Sequence, residues 1–261
     1  MVKLSVNVNK IAVIRNSRGG EIPSVLEAAR VAIGAGCHGI TVHPRPDARH
    51  ITTRDVFDLA AMLSGEFKRI EFNIEGYPGP EFLELVTRVR PAQCTMVPDP
   101  PGVLTSNAGW NLASGADRLG DVLDRLRECG IRTSLFIEAD ADAAEKARAL
   151  GAERVELFTG PYARAFGTAE ARQALARHRE AARAAHRVGL GVNAGHDLNL
   201  ANIPAYVKAV PNLEETSIGH ALISDAIYIG LAAAVKAYLK ALGSRPMRSA
   251  ARRGRVKRGS R

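Results

Sequence analysis

Short β-branched runs alternate along most of the chain with stretches whose apolar residues recur at helical spacing. Residues 4–9 read as a strand, and 24–36 as a helix with Val25, Ala28, Ala29 and Ala32 on one face and a glycine stop. A second strand at 39–43 precedes a helix at 52–64, which opens on an N-cap threonine and carries Val56, Leu59, Ala60 and Leu63 in register. The alternation goes on with a strand at 69–75, a helix at 80–89 and a strand at 93–97. A long proline-bearing connection, 98–111, then has the length that in compact domains often marks a functional lid. Further strands are predicted at 132–138, 154–159, 191–196 and 215–219, with helices at 117–129, 142–150, 168–188, within 199–210 and at 225–242.

Eight strands alternating with eight helices predict an α/β protein of the (β/α)8 TIM barrel type, a parallel eight-stranded single domain over 1–243. A doubly wound open sheet is the second choice. Against it, no strand leads into a Gly-x-Gly-x-x-Gly turn, and polar residues recur at the same relative place on nearly every strand.

Composition refines this picture. With 261 residues and 46% hydrophobic content, the chain can bury a large core. The formal charge of +9 points to nucleic acid until its location is considered: residues 244–261 hold eight arginines and lysines and no acid, leaving the body near +1. That stretch predicts a disordered basic tail, with no specific nucleic-acid partner. Cys37, Cys94 and Cys129 lack metal-ligand spacing and read as free thiols. The N-terminal residues lack the apolar run of a signal peptide and no stretch is long and apolar enough for a membrane, which predicts a cytoplasmic protein.

In a barrel the C-terminal strand ends gather at one mouth, so polar residues there converge. They are Asn7, Asn9 and Lys10 on the first strand, His43 and Arg45 on the second, Glu75 on the third, Glu156 and Thr159 on the sixth, Asn193 and His196 on the seventh, and Gly219 and His220 on the eighth. His50 lies just beyond the second. Histidine titrates near neutral pH and arginine grips phosphate, so the set suits proton transfer on an anionic substrate. No metal is predicted, because His-x-His and His-Glu-x-x-His spacings are lacking and Lys10 and Arg45 would repel a cation. Glu75 has two readings: burial raises its pKa and suits it to act as a base, or a partner such as Lys10 or Arg45 holds it ionised.

Taken together, Asn7-Val-Asn-Lys-Ile-Ala-Val-Ile-Arg-Asn-Ser-Arg18-Gly, Gly-Ile-Thr-Val-His43-Pro-Arg45 with Arg49-His50, Asn73-Ile-Glu75, Val192-Asn-Ala-Gly-His196 and Ile218-Gly219-His220 resemble the pyridoxine 5'-phosphate synthase family over about residues 4–242. The resemblance implies condensation of 3-amino-2-oxopropyl phosphate with 1-deoxy-D-xylulose 5-phosphate, with neither metal nor organic cofactor, by a homo-octamer. It implies His43 and Glu75 as proton acceptors and His196 as proton donor. Asn7, Arg18, Gly219 and His220 would hold the aminoketone phosphate, and Arg45, His50 and Thr105 the sugar phosphate. The chain departs from the family pattern at Asn9-Lys10, at Asp197 after His196 and in the lid. Those departures lead to the expectation that Lys10 contacts the sugar phosphate or pairs with Asp197, with Asn9, Glu156 and Asp197 counted among the substrate-binding residues. A phosphosugar epimerase or isomerase on the same barrel is the alternative, ahead of an aldolase using Lys10 as its Schiff-base residue.

Overall fold

The structure, a computed structural model, describes residues 1–99, 107–112 and 117–247. Its parallel strands are β1 (Lys3–Asn7), β2 (Gly39–Val42), β3 (Glu71–Gly76), β4 (Gln93–Met96), β5 (Arg132–Ile137), β6 (Arg154–Leu157), β7 (Gly191–Ala194) and β8 (Leu213–Ile218). Each pairs with the next and β8 returns to β1, closing a (β/α)8 barrel.

Side chains alternate across each strand, and the two faces differ sharply here. Leu4, Val6, Ile40, Val42, Ile74, Met96, Leu135, Ile137, Val155 and Leu157 are buried in the hydrophobic cluster they share with the outer helices. The opposite positions are polar and join one another inside the barrel. Ser5 and Thr41 hydroxyls meet at 2.7 Å, Asn73 donates to Thr41, and Thr95 donates to Asn73 at 3.1 Å. Across the interior Asn193 donates to Gln93, which also accepts from Arg132, while Arg154 donates to Asn193 at 2.8 Å. Barrels commonly fill this space with branched apolar residues. In this one, most of the buried polar side chains find partners in one another, while Gln93 Nε2 and Ser134 Oγ have none among the described residues. Lys3, Glu71 and Arg132 form an ion-pair cluster at the N-terminal end.

The outer layer holds α1 (Asn9–Asn16), α2 (Val25–Ala35), α3 (Thr53–Glu66), α4 (Pro80–Val89), α5 (Asp117–Glu128), α6 (Ala141–Ala149), α7 (Gly160–Ala165), α8 (Glu170–Arg187), α9 (Ile203–Ala209), α10 (His220–Ile229) and α11 (Leu231–Ala241). Ser24 caps α2 by accepting from Glu27 N, and Thr52 with Asp55 forms a full capping box on α3. Three features differ from the predicted pattern. The first strand ends at Asn7 and residues 9–16 are helical, α7 occupies what reads as a loop, and the single closing helix is two helices. They part at Gly230, whose φ of 81° and ψ of 147° no helix accommodates.

Residues 244–247, which composition assigns to the tail, lie against the N-terminal end of the barrel. Met247 N donates to Gly36 O at 3.0 Å and the Arg245 carbonyl meets His38 Nε2 at 3.0 Å. Residues 248–261 fall outside the described residues. Among the described residues no helix is long and apolar enough to cross a membrane.

Candidate active site

The strand ends bring Asn7, His43, Glu75, His196 and Ser217 to one mouth. Glu75, on β3, accepts from Asn7 Nδ2 at 3.4 Å and from Ser217 Oγ at 3.3 Å, and no described side chain makes an ion pair with it. Of the two readings left open by the sequence, burial is the one observed. Desolvation pushes its pKa up to about 7, against the opposing His196 charge and the Ser217 hydrogen bond.

His43 is held through its backbone N, which donates to Asn9 Oδ1 at 3.0 Å. Burial and then the charges of Arg45, His50, His196 and Arg49 push its pKa down to about 3, so the ring is neutral. Its centroid lies 6.1 Å from that of His50. His50 Nδ1 accepts from Ile51 N at 2.9 Å, which leaves Nε2 to carry the ring proton. Burial, then Arg45 and Lys10, lower His50 to about 4. Arg45 is buried and faces Asp99 at 4.0 Å.

The loop carrying these groups is tied down by α1. Arg15 Nη2 donates to Asp55 Oδ2 at 2.9 Å and to the His50 carbonyl at 3.3 Å, and Asn16 Nδ2 donates to the same carbonyl at 2.8 Å. Asp55 also completes the α3 capping box, so one carboxylate fixes both a helix start and the adjoining loop.

His196 stands across the mouth, flanked edge-on by Phe136 and Phe158, each with its ring centroid 6.3 Å away. Its Nδ1 is 2.8 Å from Asp197 Oδ2. Burial acts to lower its pKa, but the Asp197 hydrogen bond and charge, then the charges of Glu75 and Asp99, outweigh burial and raise it.

The other predicted site residues are placed as follows. Asn7 Oδ1 accepts from Asn9 N at 3.0 Å, so both asparagines brace the mouth. A Cβ at Gly219 would lie 3.1 Å from Asn7, which explains glycine there, and exposed His220 starts α10. Glu156 faces the barrel interior, 4% exposed, and its pKa is raised well above the ordinary value by burial and then by the charges of Glu75 and Glu215. Lys10, the second residue of α1, acts electrostatically on His50. Asp197 therefore corrects one expectation: its partner is His196, because the turn after β7 directs both side chains together, and not Lys10. Arg18 is exposed on the turn after α1, where its backbone N donates to the Arg15 carbonyl at 3.3 Å. Thr105 lies outside the described residues.

Three contributors carry weak sequence signals. Asp99 follows strand four just where strand ends elsewhere hold the site, Ser217 is disguised as ordinary strand, and the Arg15–Asp55 pair is visible only as a Thr52-x-x-Asp55 cap signature. Trp110 bridges the rim. Its N donates to Phe136 O at 2.9 Å, its Nε1 to Met96 O at 3.0 Å, and its ring stacks on Tyr77. A cavity of about 630 Å³ opens beside the mouth, with His43, Arg45 and Asp99 on its inner wall and Phe57, Tyr77 and Phe82 among its outer lining. Among the described residues no group of three or more His, Cys, Asp or Glu side chains is placed to hold a metal ion.

Comparison with known proteins adds an independent line. Residues 4–244 match the family model described as pyridoxal phosphate biosynthesis protein PdxJ. The chain is 52% identical over 242 residues to a pyridoxine 5'-phosphate synthase of Bacteroides fragilis, covering 93% of this chain and all of that one. It is 50% identical over 238 residues to the protein of that name from Porphyromonas gingivalis, covering 91% and 98%. Among solved structures, TrpF from Jonesia denitrificans aligns with a TM-score of 0.59 at 16% identity, covering 93% of this chain and 97% of that one. The YdjI aldolase from Escherichia coli aligns with a TM-score of 0.61 at 11% identity, covering 93% and 92%. The last two share the barrel alone.

Proposed function

We propose, from the premise that the chain belongs to the pyridoxal phosphate biosynthesis PdxJ family, that it is a pyridoxine 5'-phosphate synthase. In this reading it condenses 3-amino-2-oxopropyl phosphate with 1-deoxy-D-xylulose 5-phosphate, giving pyridoxine 5'-phosphate, inorganic phosphate and two waters. The observation that carries it is the trio at the mouth: a neutral His43, a Glu75 balanced near pH 7, and a His196 whose pKa is raised by its hydrogen bond to Asp197.

The chemistry asks for those three states. The substrate amine attacks the sugar ketone, and loss of water as the imine forms needs a proton delivered to the departing oxygen, which His196 supplies. Enolisation removes a C–H proton, which His43 or the ionised form of Glu75 accepts, and phosphate then leaves with the bonding electrons of its C–O bond. Ring closure expels the second water by the same donor. Arg45 and His50 Nε2–H form one anion grip, in which a neutral imidazole donates without adding charge. The α10 N-terminus at Gly219 and His220 supplies the other, where Arg18 would join on binding.

We propose further that the protein is a cytoplasmic homo-oligomer, as in the octamer implied by the resemblance. Ile227, Tyr228 and Ile229 at the end of α10 are 69%, 87% and 51% exposed, beside exposed Val13 and Ile14 of α1, an apolar face that a second copy would cover.

Incubation with both substrates, reading pyridoxine 5'-phosphate by mass spectrometry and phosphate release in parallel, tests the synthase reading. Product from the wild type and none from His196→Ala is expected. Folded wild type that binds each substrate yet makes no product would move the single-substrate epimerase or isomerase to first place.

A further inference from the structure

Asp197 stands next to His196 in sequence, and neighbouring side chains ordinarily diverge. Here the turn after β7 brings them together. Leu198 N donates to Gly195 O at 2.6 Å, closing the turn, and Gly195 passes so near the Ser217 backbone that a Cβ would overlap it. The Asp197 backbone is pinned on both sides: its N donates to Thr159 Oγ1 at 3.2 Å and its O accepts from Asn202 Nδ2 at 3.4 Å. Asn202 is fully buried and fixed in turn, since its Oδ1 accepts from Asn199 N at 2.8 Å and its carbonyl accepts from Tyr162 OH at 2.8 Å. A carboxylate carried on a backbone fixed in this way, and 2.8 Å from Nδ1, leaves Nε2 as the ring nitrogen free of that contact.

We propose that Asp197 is a positioning residue for His196: it takes the Nδ1–H, fixes the ring between Phe136 and Phe158, and keeps the imidazole loaded so that Nε2 delivers the proton. This rests on the reading of His196 as the donor and replaces the expectation that Asp197 binds substrate. Among the described residues, the charged and titratable groups facing His196 include Asp197 on its own turn, Glu75 from β3, Asp99 from beyond β4 and His43 from beyond β2, while β5 and the segment after β6 present the two phenylalanine rings. Of the three acids, only Asp197 is hydrogen-bonded to the ring among the described contacts.

The test uses the intact chain and two readouts. Histidine NMR titration, with the His196 signal assigned by its loss in His196→Gln, should show its midpoint moving to lower pH in Asp197→Asn and staying near the wild-type position in Asp197→Glu. An unmoved midpoint in folded Asp197→Asn overturns the proposal. In the condensation assay, Asp197→Asn should lose about tenfold more turnover at pH 8.5 than at pH 6.5, with KM for both phosphates unchanged. A raised KM with an unaltered pH profile would make Asp197 a substrate ligand and also overturn it. If the wild type makes no product, the synthase reading fails, and the NMR titration still decides the Asp197–His196 coupling.

Discussion

Glu75 has a carboxylate in a place that disfavours its charge, and among the described residues two neutral donors, Asn7 and Ser217, hold it. Because its folded pKa is raised to about 7 from an ordinary 4.5, the folded state retains a proton that the unfolded chain gives up. Its contribution to stability is therefore full below about pH 4.5 and is lost as pH rises towards 7. Stability is given up here in exchange for a group able to change protonation at neutral pH. Glu75→Gln, which cannot ionise, should lower turnover about a hundredfold or more, flatten the acid limb near pH 7, and raise the unfolding temperature at pH 8; an unchanged acid limb would assign that limb to another group. The carboxylate itself is plain in the sequence at the end of Phe72-Asn73-Ile74-Glu75, but its state is not. Whether Lys10 or Arg45 paired with it depended on contacts between segments far apart in the chain, and the structure leaves both on the His50 side.

At the scale of elements, the strands and long helices were legible because each carries enough residues for its period to repeat. The helices α1 and α7 were not. An eight-residue helix running directly from a strand has no capping side chain to mark its start, and six-residue α7 shows too few turns for any period. Yet α1 carries the residues that hold the His50 loop, and α7 brings Tyr162 to Asn202. A buried polar cluster joins α7, α8 and α9 behind the His196 turn: His178 Nδ1 lies 2.9 Å from Tyr206 OH, and the Tyr206 ring packs on Tyr162. Burial and then Arg177 lower His178 to about 4, below its value in the unfolded chain, so its stabilising contribution is present above about pH 6.5 and is lost as pH falls towards 4. Wild type should therefore lose on the order of 3 kcal/mol more stability than His178→Gln between pH 6.5 and pH 4, as read by denaturant unfolding at each pH. Parallel curves for the two proteins would count against that linkage.

For the whole molecule, the barrel could be recognised from alternation alone, and the convergence of scattered polar residues at its mouth followed from topology. Composition assigns residues 244–261 to one basic tail. Residues 244–247 are polar or basic in part, but their backbone hydrogen bonds to Gly36 and His38 make them a closing staple across the end opposite the site. Ending the chain after Met247 should leave activity and the oligomer mass by light scattering unchanged, while ending it after Gly243 should lower the unfolding temperature. Loss of activity on removing 248–261 alone would give the basic segment a catalytic part.

Trp110 is the chain's one tryptophan, and it sits where β4, β5 and the segment after β3 meet at the rim. The protein thus carries a built-in optical gauge at the root of the long connection. Its emission comes from a single indole whose hydrogen bond and stacking partner are both known, so a change in colour or brightness on adding a phosphorylated substrate can be traced to one spot without any label.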